Sequence, residues 1–300
     1  LLTSVLLAAA LVSAAAMLVV VRHGLKPVNA LAEQISMIDD NCLSNRIELP
    51  DTAEELAPVV NRLNELLDRL QATIDREKGF TADVAHELRT PIAGLETALE
   101  VCASRPRENA VYRETLSKCL VTVNSMRQMV NQLLLLARAD AGQLMPEAES
   151  IDVAALVADC WKPFEERAFE LGLQVQWEPP SEEFHLTTDG EKLRLVLNNL
   201  MDNAVRNVNP GGQVVIGWQR SADDLTLWIQ NTGCTLTSVE IDHVFDRFWR
   251  QDDARTDGVD HCGLGLSLCR TILQVLGGTI SASAEGQGVF SVSVLLADRR

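Results

Sequence analysis

Lysine and arginine are in short supply in this chain of 300 residues: 26 of them stand against 42 aspartates and glutamates, a formal net charge of -16. Neutralising phosphates needs the opposite excess, so no nucleic-acid partner is expected. Aromatic residues are also few, with five Trp, seven Phe and one Tyr, which argues against a large β-sandwich and for a helix-rich chain. No Cys-x-x-C pair occurs, and the seven cysteines (Cys42, Cys102, Cys119, Cys160, Cys234, Cys262 and Cys269) are odd in number and scattered. That excludes a zinc framework and a disulfide scaffold, and it suits a reducing compartment with thiols as small core residues. Gly-Lys-Ser/Thr is missing too, so there is no Walker-type phosphate loop. Apolar side chains are plentiful, at 47% of residues, enough for a packed core. The length exceeds one domain of ~100–200 residues.

Residues 1–21 carry no charge and are almost all Leu, Ala and Val. An apolar helix of ~20 residues matches a hydrocarbon core of ~30 Å, so a transmembrane helix is expected here, in contact with membrane lipid. Arg22, His23 and Lys26 come immediately after it, which by the positive-inside rule puts the residues after about 22 in the cytoplasm. A signal peptide would carry its basic end first and a cleavage site after the apolar run. Position 1 is Leu rather than Met, so an upstream segment is expected.

Beyond the basic cluster a short helical pattern covers Leu25 to Ile38, then a polar connector passes Asn41, Ser44, Asn45 and Pro50. Leu56, Leu63 and Leu70 recur every seven residues, with Val59, Leu66 and Leu67 between them, as in a coiled-coil seam. Pro58 fits only the first turn of that helix. A longer helix is expected from about Asp75 to Ala103, with the apolar stripe Phe80, Val84, Leu88, Ile92, Leu95 and Leu99. After Pro106 a further helix runs to about Asp140. It carries two heptad rows, Leu116, Val123, Val130 and Ala137 beside Cys119, Met126 and Leu133. One hairpin of two such helices cannot bury both seams, so two hairpins should pair into a four-helix bundle and the chain into a homodimer.

From Gly142 the pattern changes to alternating runs at Leu173–Trp177, Gln213–Gln219, Leu225–Gln230 and Gly288–Leu296, with helical stretches at about Asp152–Leu171, Asp189–Val208 and Leu264–Leu276. This predicts an α+β sandwich with helices on one face of a mixed sheet.

His86 lies opposite the apolar stripe of its helix and should face water. Thr90 is one turn on, on the same face, and Glu87 is adjacent. Neutral imidazole near pH 7 is a competent nucleophile, and a carboxylate beside it can orient it or take its proton. A second constellation is Asn198-Asn199-Leu200-Met201-Asp202-Asn203-Ala204-Val205-Arg206-Asn207. Asn199, Asn203, Arg206 and Asn207 share one helical face. Asn is a poor helix former, and solvated faces favour Glu, Lys and Gln. A stripe of amides therefore points to a bound ligand. Further on, Asn231-Thr232-Gly233-Cys234-Thr235 comes after a strand, Phe245-Asp246-Arg247-Phe248-Trp249-Arg250 precedes an Asp-rich segment, and His261-Cys262-Gly263-Leu264-Gly265-Leu266-Ser267 opens a helix. Backbone N–H groups at a glycine-rich helix start suit phosphate oxygens.

The string Phe80-Thr81-Ala82-Asp83-Val84-Ala85-His86-Glu87-Leu88-Arg89-Thr90-Pro91 resembles the H-box of bacterial two-component sensor histidine kinases. The later strings resemble, in order, the N-box, the adenine-binding D-x-G-x-G, the F-box and the glycine box of the GHKL, Bergerat-type ATP-binding fold. The helices after the basic cluster resemble a HAMP relay module. The resemblance implies a transmembrane helix over 1–21, a HAMP-like relay over 22–75, a dimerisation and phospho-acceptor hairpin over 76–142 and a catalytic ATP-binding domain over 143–300. It implies that His86 is phosphorylated by ATP, that Glu87 assists proton transfer and that Thr90 positions water for dephosphorylating a partner. Asn203 would hold Mg²⁺, with Asn199, Arg206 and Asn207 beside it on the phosphates. Asn231, Gly233, Gly263, Leu264 and Gly265 would complete the nucleotide site. The phosphoryl group would pass to an Asp on a response-regulator receiver domain, from a bacterial inner-membrane protein. Three positions depart from the family pattern: Asn231 for the adenine-binding Asp, Thr235 for the second Gly and His261 for the first Gly of the glycine box. They leave open a catalytically weak relay with a degenerate adenine pocket, acting as phosphatase or scaffold. An ATPase machine of the same fold fits badly, because it would lack the H-box hairpin.

Overall fold

In a computed structural model, residues 2–37, 45–47, 56–180, 185–221, 224–251, 262–285 and 288–298 are described. The connector residues Asn41, Cys42, Ser44 and Pro50, the departure at His261 and the Asp-rich segment before it lie outside the described residues. The chain forms two compact units, residues 1–84 and 85–300.

The first unit holds α1 (Leu2–Ser36) and the beginning of α2 (Ala57–Ala103). Leu31, Ile47 and Val60 are buried together, with Leu63 and Leu67 packed against them. Asn64 fastens the short described piece of connector: its Oδ1 accepts from Ile47 N at 3.0 Å and its Nδ2 donates to Ile47 O at 3.2 Å. Arg46 pairs with Asp68 one turn further on. Of the expected leucine seam, Leu66 and Leu70 stay exposed. Among the described residues no helix is long and apolar enough to cross a membrane.

A separate helix was expected to begin near Asp75, but α2 is continuous from Ala57. The stretch from Val59 to Lys78 contains neither Pro nor Gly, so nothing local stops propagation once the first turn has formed. Pro58 sits in that first turn, where its missing N–H costs no hydrogen bond. The helix also runs on through the buried Pro91.

In the second unit, the end of α2 and α3 (Asn109–Asp140) form the hairpin. The two heptad rows of α3 have different fates. Cys119, Met126 and Leu133 are half-buried, while Leu116, Val123 and Val130 are exposed in the single chain.

The sheet domain comes next along the chain. A five-stranded mixed sheet has the order β2-β4-β5-β7-β6, from β2 (Gln174–Glu178), β4 (Gln213–Ser221), β5 (Asp224–Thr232), β6 (Thr279–Glu285) and β7 (Val289–Ala297). Only the β2–β4 pair is parallel. β1 (Glu149–Asp152) and β3 (His185–Thr188) make a separate antiparallel pair, which the sequence pattern did not suggest because each is only four residues long. The α-helices after α3 are α4 (Val153–Trp161), α5 (Glu165–Glu170), α6 (Gly190–Asn207), α7 (Ser238–His243) and α8 (Gly265–Leu276). The expected single helix over 152–171 is broken by a 3₁₀ turn at Lys162–Phe164, where Pro163 cannot donate. Along β5, burial alternates strictly, with Leu225, Leu227 and Ile229 in the core. Val214, Ile216, Val292, Val294 and Leu296 point the same way and meet Leu193, Leu197, Leu200, Met201, Leu268, Ile272 and Leu273 from α6 and α8. Half of each strand is therefore core and half is a polar outer face. This arrangement lays α6 and α8 side by side on the sheet, with their remaining faces turned outward.

Candidate functional site

His86 is exposed on α2, as the helical phase requires, while Leu88, two residues on, packs against the core of the same unit. Thr90 Oγ1 donates back to His86 O at 3.3 Å. Pro91 has no N–H to give to Glu87 O four residues before it, which frees one carbonyl beside the imidazole. Glu87 is half-buried.

The amide face is built by α6. Asp189 caps the helix and is itself buried: it accepts from Lys192 N at 2.9 Å, Glu147 N at 2.8 Å and Lys192 Nζ at 2.5 Å. Burial alone would raise its pKa, but these hydrogen bonds outweigh it and hold the carboxyl below the usual range. Further along, Asn199 Nδ2 donates to Leu195 O at 2.8 Å. Asn207 Nδ2 donates to Asn203 O at 2.8 Å and to Asn203 Oδ1 at 2.9 Å, so the last two amides are locked together. Arg206 turns to Asp202, its Nε donating to both carboxylate oxygens at 3.1 and 3.0 Å. The expected four-residue face is thus split: Asn199, Asn203 and Asn207 form one line, and Arg206 is engaged with Asp202 beside it.

The glycine box approaches that line. A Cβ at Gly265 would meet Asn199 Oδ1 at 3.1 Å, so the start of α8 lies against the amide. Gly263 takes φ +67, and a Cβ there would sit 2.6 Å from Trp249 O. Only glycine accommodates both the conformation and the approach. Phe248, in the F-box string, has φ 63 and donates its N–H to Gly263 O at 3.1 Å. Leu264 is fully buried, so its side chain belongs to the core and only its backbone can serve a ligand. Burial pushes the Cys262 thiol up to about 11, the N–H groups of Leu264 and of Cys262 itself pull it back, and the Glu87 carboxylate adds to the rise.

Asn231 ends the buried row of β5 at 2% exposure, its Nδ2 donating to Thr232 O at 3.2 Å. Gly233 has φ +94, and a Cβ there would meet Asn209 N at 2.8 Å. Thr235 is exposed and its hydroxyl donates to Gln251 Oε1 at 3.3 Å.

Two residues absent from the motif strings, Gln132 and Asp140, join the hairpin to this domain. Gln132 on α3 donates from Nε2 to Asn199 Oδ1 at 3.5 Å, and its Oε1 accepts from Cys262 Sγ at 3.9 Å. Arg247 Nη2 bridges both oxygens of Asp140 at 2.9 and 2.8 Å. Between α3 and α6 lies a cleft of about 710 Å³, with Gln128, Asn131 and Gln132 on one wall and Asn198, Asp202 and Arg206 on the other. No local pattern on α3 singles these residues out.

The arrangement suits an Mg²⁺-bound polyphosphate. Mg²⁺ takes oxygen ligands and keeps bound water and phosphate; α6 offers the amide oxygens of Asn199 and Asn203 one turn apart. Gly263 and Gly265 leave room for close backbone approach, and any side chain at Gly265 would crowd Asn199.

Two family models match the chain. Residues 76–142 match the His Kinase A (phospho-acceptor) domain, and residues 188–299 match the histidine kinase-, DNA gyrase B-, and HSP90-like ATPase domain. The sensor protein CopS of Pseudomonas syringae pv. tomato is 33% identical over 265 residues, 88% of this chain and 54% of that protein. Sensor histidine kinase CusS of Escherichia coli O157:H7 is 30% identical over 278 residues, 93% of this chain and 57% of that one. The chain spans about half the length of these curated relatives. Among solved structures, Acinetobacter baumannii histidine kinase AdeS shares the fold with a TM-score of 0.59 at 24% identity, over 72% of this chain and 98% of that one. Histidine kinase ThkA in complex with response regulator protein TrrA does so with a TM-score of 0.62 at 18% identity, over 84% and 70%. With an exposed histidine in a phospho-acceptor hairpin and, after it, an amide-faced ATPase-type sheet domain, the chain belongs to the two-component sensor histidine kinases.

Proposed function

We propose that this chain transfers the γ-phosphoryl group of ATP to His86 and passes it to an aspartate of a response-regulator receiver domain. The unprotonated ring nitrogen attacks phosphorus, the N–P bond forms as the bond to ADP breaks, and Glu87 takes the ring proton. Asn203, with Asn199, holds the metal, and Asn207 steadies Asn203. Mg²⁺, when bound, offsets the charge on the transferring group. Gly233, Gly263, Leu264 and Gly265 serve through their backbone, and Arg206 reaches the phosphates only after leaving Asp202. Thr90 positions water when the regulator is dephosphorylated.

The observation that carries the reading is the exposed imidazole of His86 on the hairpin whose Gln132 reaches both Asn199 on the amide helix and Cys262 at the glycine box. Its test is incubation with γ-labelled ATP and Mg²⁺. Acid-labile label on the wild-type chain and none on His86→Ala is the expected result. Label that persists in His86→Ala overturns the assignment.

The domain reading goes with it: a membrane helix over 1–21, a HAMP-like relay over 22–75, a dimerising acceptor hairpin over 76–142 and an ATP-binding domain over 143–300. The buried trio Leu31, Ile47 and Val60 supports a relay in which connector and helices pack together. The exposed Leu11, Val12, Met17, Leu18, Val19 and Val20 support a lipid contact for the first segment, and the exposed row on α3 supports a homodimer.

A second reading rests on Asn231. With Nδ2 given to Thr232 O, its Oδ1 is the acceptor left for an adenine amino group, without the charge of an aspartate. A chain that binds nucleotide and dephosphorylates its regulator through Thr90, yet labels His86 poorly, would be a phosphatase or scaffold relay. Asn231→Asp raises labelling under that reading and leaves it unchanged under the first.

A further inference from the structure

Gln132 is the residue of the acceptor hairpin with one atom on each half of the candidate nucleotide site. Its Nε2 donates to Asn199 Oδ1 at 3.5 Å, and its Oε1 accepts from Cys262 Sγ at 3.9 Å. Asn199 Oδ1 is the atom that a Cβ at Gly265 would meet at 3.1 Å. It therefore stands where hairpin, amide helix and glycine box converge. Its own Nδ2 is held by Leu195 O at 2.8 Å, so the amide cannot flip to offer an oxygen elsewhere without breaking that bond. An acceptor has two lone pairs, but the approach of Gly265 on one side and Gln132 on the other leaves little room for a third group.

We propose that Gln132 is a positioning residue that competes with metal-bound nucleotide for Asn199 Oδ1, so that nucleotide binding loosens the hold of the acceptor hairpin on the ATP-binding domain. The inference rests on the proposed nucleotide site and adds its coupling to the hairpin. The surroundings favour a contact that can break. The adjoining cleft carries the neutral amides of Gln128, Asn131 and Asn198 beside the charged Arg127, Asp202 and Arg206. The amides both donate and accept, so they can exchange partners, water included, at little cost. By linkage, what the nucleotide does to the Gln132 contact, the contact does to nucleotide affinity.

The test is equilibrium titration of the whole chain with a fluorescent ATP analogue in the presence of Mg²⁺. Gln132→Met keeps length and helix preference but removes both hydrogen bonds; it should tighten binding about two- to tenfold, the range of one neutral hydrogen bond. Gln132→Asn, one methylene shorter, keeps polarity but loses reach and should tighten binding to the same extent. In an Asn199→Ala background, where affinity is lower, neither substitution should change it further. Unchanged or weaker affinity in both variants, with binding by the wild type intact, overturns the competition alone. An equal gain in the Asn199→Ala background overturns it as well, since the effect would not pass through that oxygen. If the wild type binds no nucleotide at all, the proposed function falls and the competition with it.

Discussion

The hairpin and the sheet domain solve the burial problem in opposite ways. The sheet domain is self-sufficient: Leu197, Ile216, Leu225, Leu268 and Ile272 are at most 1% exposed in a single chain. The hairpin is not. On α3, Leu116, Leu120 and Val121 are 56%, 63% and 58% exposed, and on α2 Leu99 is 51% exposed. A five-stranded sheet under several helices encloses a core, whereas two helices have only one shared seam and leave the rest of their apolar surface to water. One region thus encloses its own core, and the other leaves an apolar surface uncovered in a single chain. Leu133 of the hairpin's half-buried row and Leu88 pack instead against the core of the sheet domain.

Substitutions can break this contrast. The largest effect is expected at Leu197→Ala: losing a fully buried side chain under the sheet should cost about 2–5 kcal/mol in a denaturant melt, independent of protein concentration. Next comes Leu116→Asp with Val123→Asp, which should weaken self-association about 100-fold, seen by sedimentation velocity, because a carboxylate would enter an apolar seam. The melt of the sheet domain should not move. A sheet domain that melted with the dimer would end the claim that it stands alone.

Asp189→Ala comes third, at about 0.5–2 kcal/mol for loss of the α6 cap. Here pH sharpens the test. The folded carboxyl titrates below its unfolded value, so its stabilising contribution is complete above about pH 4 and is lost as pH falls further. The difference between wild type and Asp189→Ala should therefore be full at neutral pH and shrink in acid. Smallest is Asp140→Ala, which removes the partly exposed bridge to Arg247 and should cost at most about 1 kcal/mol. Its readout is faster amide exchange near the end of α3, diminished at high salt in the wild type, where the pair is screened.

The helices, four of the strands and the outward face of His86 were legible because each is written in a local period: 3.6 for Phe80, Val84 and Leu88, and 2 for Leu225, Leu227 and Ile229. The amide line of α6 was legible through composition, since Asn is misplaced in a helix without a ligand. Three readings failed for local reasons, one being the single helix over 152–171, which is broken at Pro163. The boundary near residue 75 has no helix breaker, and the four-residue strands β1 and β3 are too short to display an alternation. Arg206 was grouped with the asparagines by phase alone, and phase does not reveal that Asp202, four residues earlier, takes its guanidinium.

What the sequence by itself determined is which segments are helix or strand, which side of each is apolar, and that an imidazole and a carboxylate stand together on a solvent-facing turn; periodicity and propensity act within a few residues, so they can be read there. Tertiary structure alone decided the sheet order, the pairing of β1 with β3, and the meeting of Gln132 with Asn199, 67 residues away, and of Asp140 with Arg247, 107 residues away. Those contacts depend on how α6 and α8 lie across the sheet and how α3 packs against them, and a chain closing such long loops records no local trace of where its ends will meet.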